Sequence, residues 1–126
     1  MKFRAYGRSL AEALENCGRA FLSATAGESV VEKMEERETV LVAPDLERLV
    51  HDWLSELIFL FSTERMLFSG FDLTVDGKYR LKARLRGEKF NPKKHKLYKE
   101  IKAATYHDMK IEEKDGKWNI EVVCDT

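Results

Sequence analysis

Leu46, Leu49, Val50, Trp53, Leu54, Leu57, Ile58 and Phe61 recur at the spacing of one helical face, while Glu47, Arg48, Asp52, Ser55 and Glu56 fall on the other. A stripe of eight large apolar side chains is too wide to leave in water. Pro44 breaks the preceding strand pattern and Asp45 is positioned to cap the helix. The fold must therefore lay a broad apolar surface over this helix. A second helix begins at Ser9-Leu10-Ala11-Glu12, where the Ser9 hydroxyl can accept from a free backbone N–H and Glu12 can reach back. Leu10, Ala13, Leu14, Cys17, Phe21 and Ala24 continue at helical spacing, and Gly27 stops the run. Gly18 inside it costs about 1 kcal/mol against Ala, which predicts a close packing contact there.

The rest of the chain alternates with period two, so the cover is a sheet. Residues 2–6 form a short strand closed by Gly7, and residues 38–43 form another around Thr39-Val40-Leu41-Val42. Phe71, Leu73 and Val75 alternate with Asp72, Thr74 and Asp76, and Asp76-Gly77 is a strong hairpin signal. On the return strand Tyr79, Leu81, Ala83 and Leu85 point one way, and Lys78, Arg80, Lys82, Arg84 and Arg86 the other. Residues 91–100 read as a polar, lysine-rich loop. Ala103, Thr105, His107, Met109 and Ile111 then share one face of a strand, opposite Tyr106, Asp108, Lys110 and Glu112. A turn at residues 114–117 leads into a last strand with Trp118, Ile120, Val122 and Cys124 on its apolar face. Strand, helix, strand, helix and two hairpins predict an α+β fold. It is a two-layer sandwich of a largely antiparallel sheet with two main helices on one face, in a single domain over residues 1–126.

Lys and Arg number 22 against 22 Asp and Glu, so the chain is not a globally polycationic nucleic-acid protein. Thirteen aromatic residues argue against disorder. The longest apolar run, Leu57-Ile58-Phe59-Leu60-Phe61, is too short to span a membrane, and Met1-Lys2-Phe3-Arg4 opens no signal peptide. Cys17 and Cys124 lie in no metal-like spacing and read as buried thiols of a cytoplasmic protein. The charges are nonetheless segregated. Residues 28–56 hold nine acids and three bases, whereas residues 78–102 hold eleven bases and two acids, Glu88 and Glu100. Five cations on one strand face must meet solvent or an anionic partner. A small RNA-binding module using Lys78, Arg80, Lys82, Arg84 and Arg86 is thus one reading. Tyr79 on the apolar face weakens it, because base-stacking modules expose their aromatics.

No catalytic constellation emerges. There is no glycine-rich phosphate loop and no nucleophile turn. His51, His95 and His107 are scattered. His51 and Asp52 diverge by about 100° on a helix, so spacing alone does not make them a catalytic pair, and a surface role is the reading. His107 and Asp108 fall on opposite faces of their strand, with His107 expected in the core and Asp108 in solvent. Asp125 sits beside the C-terminal carboxylate, where a hard divalent cation would relieve the repulsion of two anions.

The segments Phe3-Arg4-Ala5-Tyr6-Gly7-Arg8-Ser9-Leu10-Ala11-Glu12-Ala13, Asp52-Trp53-Leu54-Ser55-Glu56-Leu57, Glu100-Ile101-Lys102-Ala103-Ala104-Thr105-Tyr106-His107-Asp108-Met109 and Val122-Val123-Cys124-Asp125-Thr126 resemble archease, in order and over nearly the whole chain. The resemblance implies an α+β fold and a non-catalytic cytoplasmic protein. Its implied partners are the GTP-dependent tRNA-splicing RNA ligase, whose own guanylylation and multiple turnover it would promote, and a tRNA cytosine-5 methyltransferase, whose specificity it would raise as a chaperone. Contact with tRNA would be indirect. The resemblance also implies a divalent metal, calcium or similar, held by the Asp125 carboxylate and a main-chain or terminal oxygen of Thr126. The family's second aspartate belongs to an H-T-A-D motif ahead of the first strand. That motif is not in this chain, so the domain is expected to lack a few residues of the family's N-terminus. Lys102, His107 and Asp108, with the cations of residues 78–86, are the expected contacts to a partner or RNA.

Overall fold

A computed structural model describes residues 1–126. The elements run β1 (Lys2–Gly7), α1 (Leu10–Ala26), β2 (Glu35–Val42), α2 (Leu46–Glu64), β3 (Met66–Asp76), β4 (Arg80–Lys89), β5 (Ala103–Ala104), β6 (Lys110–Lys114) and β7 (Lys117–Asp125). The α+β class and the antiparallel pairing are as expected. The strands divide between two sheets. In one, β7 is central, with β1 on one edge and both β5 and β6 on the other. In the other, β4 lies between β2 and β3.

Both helices start as their sequences dictate. Ser9 caps α1, its hydroxyl accepting from Glu12 N–H at 3.1 Å, while the Glu12 carboxylate accepts from Arg8 N–H at 3.1 Å. Gly27 ends α1 at φ 60°. Asp45 caps α2 by accepting from Arg48 N–H at 2.8 Å. This helix continues three residues past Phe61 and stops where Arg65 turns left-handed, at φ 58°. The Arg65 guanidinium there lies 4.2 Å from the Phe61 ring centroid and 5.4 Å from that of Phe90. The Arg65 N–H donates to Phe61 C=O at 2.9 Å and closes the helix in that conformation.

One buried cluster joins both helices and both sheets. Trp53 lies wholly buried within it, donates its indole N–H to Leu14 C=O at 2.9 Å and meets Phe71 edge-on. Phe71 also lies against Gly18, and a Cβ added at that glycine would collide with its ring. The close contact expected at Gly18 is therefore between α1 and β3. Cys17 and Cys124 are free and buried, as the sequence reading has them. Burial above all, and then each other's proximity, pushes Cys17 up to about 12; burial pushes Cys124 up to about 11.

Three local readings are corrected. The β3–β4 hairpin turns through residues 77–79, with Asp76 opposite Arg80 and Tyr79 left-handed at φ 58°. Lys78 therefore belongs to the turn and not to the cationic strand face. Second, the strand expected over residues 103–112 is broken. Only Ala103–Ala104 and then Lys110–Lys114 pair with β7, because the chain folds over at residues 106–109, with Met109 N–H donating to Tyr106 C=O and Asp108 at φ 51°. Aspartate tolerates that conformation better than most residues. Third, His107 is consequently exposed and not in the core.

Candidate functional site

The cations of β4 lie on the outer face of their sheet, and the register determines what stands beside them. Arg86 and Arg84 are opposite Glu36 and Glu38 of β2, while Arg84 and Arg80 are opposite Asp72 and Asp76 of β3. Arg86 reaches Glu36 at 3.2 Å, Arg84 reaches Glu38 at 3.3 Å and Glu36 at 3.7 Å, and Arg80 reaches Asp76 at 4.0 Å. Arg80, Arg84 and Arg86 are thus set against Glu36, Glu38, Asp72 and Asp76, Lys82 stands opposite Val40 and Thr74, and the face is close to neutral. The acid-rich and base-rich stretches of the sequence are hydrogen-bonded neighbours.

A second constellation joins α2 to the turn before β6. Arg48 Nε donates to both Asp52 oxygens at 3.1 Å, and His51 Nδ1 lies 3.1 Å from Asp52 Oδ1. The side chains of His51 and Asp52 meet despite the helical divergence, because two rotatable bonds on each are enough to close the gap. The His51 ring stacks on Tyr106, with centroids 4.6 Å apart and planes 11° from parallel. Thr105 ties the same turn to β7 by donating its hydroxyl to Val123 C=O at 2.9 Å. Sequence reasoning missed this junction, although Arg48 and Asp52 at i, i+4 were a legible helical pair. In the Asp52–Leu57 segment, Trp53, Leu54 and Leu57 are core. Burial pushes the half-buried Glu56 carboxyl above its ordinary range.

His107 Nε2 lies 3.2 Å from Asp108 Oδ2, so these two are neighbours and not on opposite faces. Their side chains are 77% and 70% exposed. A pair this solvated is screened and is not built to activate a nucleophile.

Asp125 is exposed at the end of β7, paired with Ala103, and its carbonyl accepts from Lys102 N–H at 2.8 Å. The main chain thus brings Lys102 beside Asp125. The Met1 ammonium donates to Cys124 C=O at 3.1 Å, one residue away. No group of three or more His, Cys, Asp or Glu side chains comes together in a way that could hold a metal. A calcium-like ion takes six to eight oxygens. Asp125 and Thr126 alone do not supply that donor set, so these residues do not by themselves fit a divalent cation.

The model of the Archease protein family matches residues 1–126. This chain belongs to the archease family. It is 39% identical to the archease of Methanosarcina mazei over 129 aligned residues, covering 99% of this chain and 88% of that one. Its structure is similar to the solution structure of a Methanobacterium thermoautotrophicum protein, with a TM-score of 0.85, 36% identity, and coverage of 99% and 91% of the two chains. It is also similar to the crystal structure of a Thermotoga maritima archease described as a possible chaperone, with a TM-score of 0.70, 26% identity, and coverage of 100% and 90%. The names of these archeases are those of a protein and a possible chaperone, not of an enzyme. No helix of this archease is long and apolar enough to cross a membrane.

Proposed function

We propose that this archease is a non-catalytic cytoplasmic cofactor protein in tRNA processing, acting by contact with a larger RNA-modifying enzyme. The first partner is the GTP-dependent tRNA-splicing RNA ligase, whose guanylylation it promotes. A tRNA cytosine-5 methyltransferase, served as a chaperone client, is the second. The observation that carries this reading is the archease match over the whole chain. The polar clusters agree with it: Arg48–Asp52–His51–Tyr106 is a packed junction, and His107–Asp108 is a solvated pair. Both suit a contact surface better than a reaction centre. The proposal does not depend on a bound metal.

The direct test is transfer of labelled GMP from GTP to the ligase, with and without this protein. Faster formation of labelled ligase supports the reading. An unchanged rate, with methyltransferase site specificity also unchanged, refutes it.

A further inference from the structure

The base-rich stretch divides into two parts that differ in how their cations are partnered. Arg80, Arg84 and Arg86 of β4 are matched by acids across the sheet, while Lys82 of the same strand faces Val40 and Thr74. Most cations of the following segment are unmatched. Lys94 is held by Glu88 at 2.8 Å and Glu32 at 3.4 Å, and Glu100 is taken by Arg65 at 3.9 Å. Lys89, Lys93, Lys96, Lys99 and Lys102 have no carboxylate within 4.0 Å. Four of them, Lys93, Lys96, Lys99 and Lys102, fall at every third residue, and all four are exposed.

These cations sit on an anchored segment. The His95 side chain is 0% exposed, its Nδ1 accepts from Asn91 N–H at 3.0 Å and its Nε2 lies 3.1 Å from Glu88 Oε2. A backbone N–H can only donate, so Nδ1 is the acceptor and Nε2 carries the proton toward Glu88. Lys96 N–H donates to the Ser29 hydroxyl at 2.9 Å, and Tyr98 N–H donates to Thr25 C=O at 2.8 Å. Leu97 packs against the smaller apolar cluster and Ile101 is buried in the main one. Tyr98 itself is 57% exposed. One edge of its ring rests on Gly27, where a Cβ would collide with it, and Lys96 Nζ lies 5.0 Å from its centroid.

We propose that residues 93–102 form a binding surface for single-stranded nucleic acid, with Lys93, Lys96 and Lys99 meeting phosphates and Tyr98 stacking on one base. An exposed aromatic ring flanked by unpaired cations on a rigid support is the arrangement that binds single strands without reading sequence. A duplex keeps its bases stacked and offers Tyr98 nothing. An acidic protein surface would use the lysines and leave the ring idle. This inference goes beyond the partner reading above and stands or falls apart from it, because it concerns this chain alone.

The test is fluorescence anisotropy of a fluorescein-labelled oligouridylate titrated with the full chain over a salt series. Affinity should fall linearly in log–log form. Lys93→Gln/Lys96→Gln/Lys99→Gln should reduce the slope by about 2, and each single replacement by about 0.7. Tyr98→Ala should weaken binding about fivefold or more at fixed salt and leave the slope unchanged. Lys82→Gln should alter neither. All these side chains are exposed, so thermal melts should confirm an intact fold. Absence of binding at low salt, or a triple variant with the parental slope, overturns the proposal. So does Tyr98→Ala binding as tightly as the parent while polyglutamate competes equally, which would assign the surface to an acidic protein.

Discussion

Glu88→Ala should lower the melting temperature by about 11 °C at pH 7, and the loss should vanish in acid. The Glu88 carboxylate, whose side chain is only 13% exposed, accepts from Glu32 N–H at 2.7 Å and from Lys94 Nζ at 2.8 and 2.9 Å, with His95 Nε2 at 3.1 Å. Removing it leaves the wholly buried His95 with an N–H that has no acceptor, at a cost of about 1–3 kcal/mol. Lys94 is partly exposed, so solvent screening leaves its pair a minor share. The loss is therefore set by the buried His95 N–H, at the upper end of that range, about 3 kcal/mol. A chain of 126 residues unfolds with an entropy on the order of 260 cal/mol/K, so each kcal/mol moves the melting temperature by about 4 °C.

The pH dependence follows from the same carboxylate. Burial pushes Glu88 up, but Lys94, the Glu32 N–H and His95 outweigh it and hold the carboxyl at about 2, below the ordinary 4.5. A group with a depressed folded-state pKa stabilises fully above its unfolded value and loses that stabilisation as pH falls toward the folded value. The gap between parent and variant should therefore be constant above about pH 5 and close between pH 4.5 and 2. Circular dichroism melts across that range measure it. A gap below about 3 °C at neutral pH, or one that persists unchanged to pH 2, would refute the anchoring of the lysine segment by Glu88 and His95.

Gly18→Ala sets a helix-propensity gain of about 1 kcal/mol against the overpacking of Phe71, at about 1–3 kcal/mol; the urea midpoint should fall, and a rise would mean the ring moves freely. Cys17 and Cys124, pushed up to about 12 and about 11, should both resist a disulfide reagent at pH 8 in the folded protein and react together only in denaturant. Fast reaction of either in native protein would contradict their burial.

What could be read from the sequence was whatever repeats locally. The α2 stripe, the Ser9 and Asp45 caps, the Gly27 stop and the alternation of β4 are one-dimensional patterns, and each element forms over most of its pattern, with β4 starting two residues late at Arg80. What escaped was set by contacts between distant segments. Alternation identifies a strand but not its sheet, so the division between β1–β7 and β2–β4–β3 was not legible. Nor was the neutralisation of Arg84 and Arg86, which depends on β2 lying beside β4 in a register that puts Glu38 and Glu36 opposite them. The break at Asp108 was hidden because residues 103–112 alternate well on paper, while Tyr106 is drawn away to stack on His51. The contact of His51 with Asp52 was not legible either, because backbone directions on a helix do not fix side-chain reach.

The central claim is that this archease acts on an RNA ligase without catalysing anything itself. The measurement that tests it most directly is a ligation time course with the tRNA-splicing ligase, GTP, divalent metal and RNA ends in excess over ligase. Joined product should pass one equivalent per ligase only when this protein is present, and the protein alone should join nothing. Product that plateaus at the same level with and without it would contradict the account.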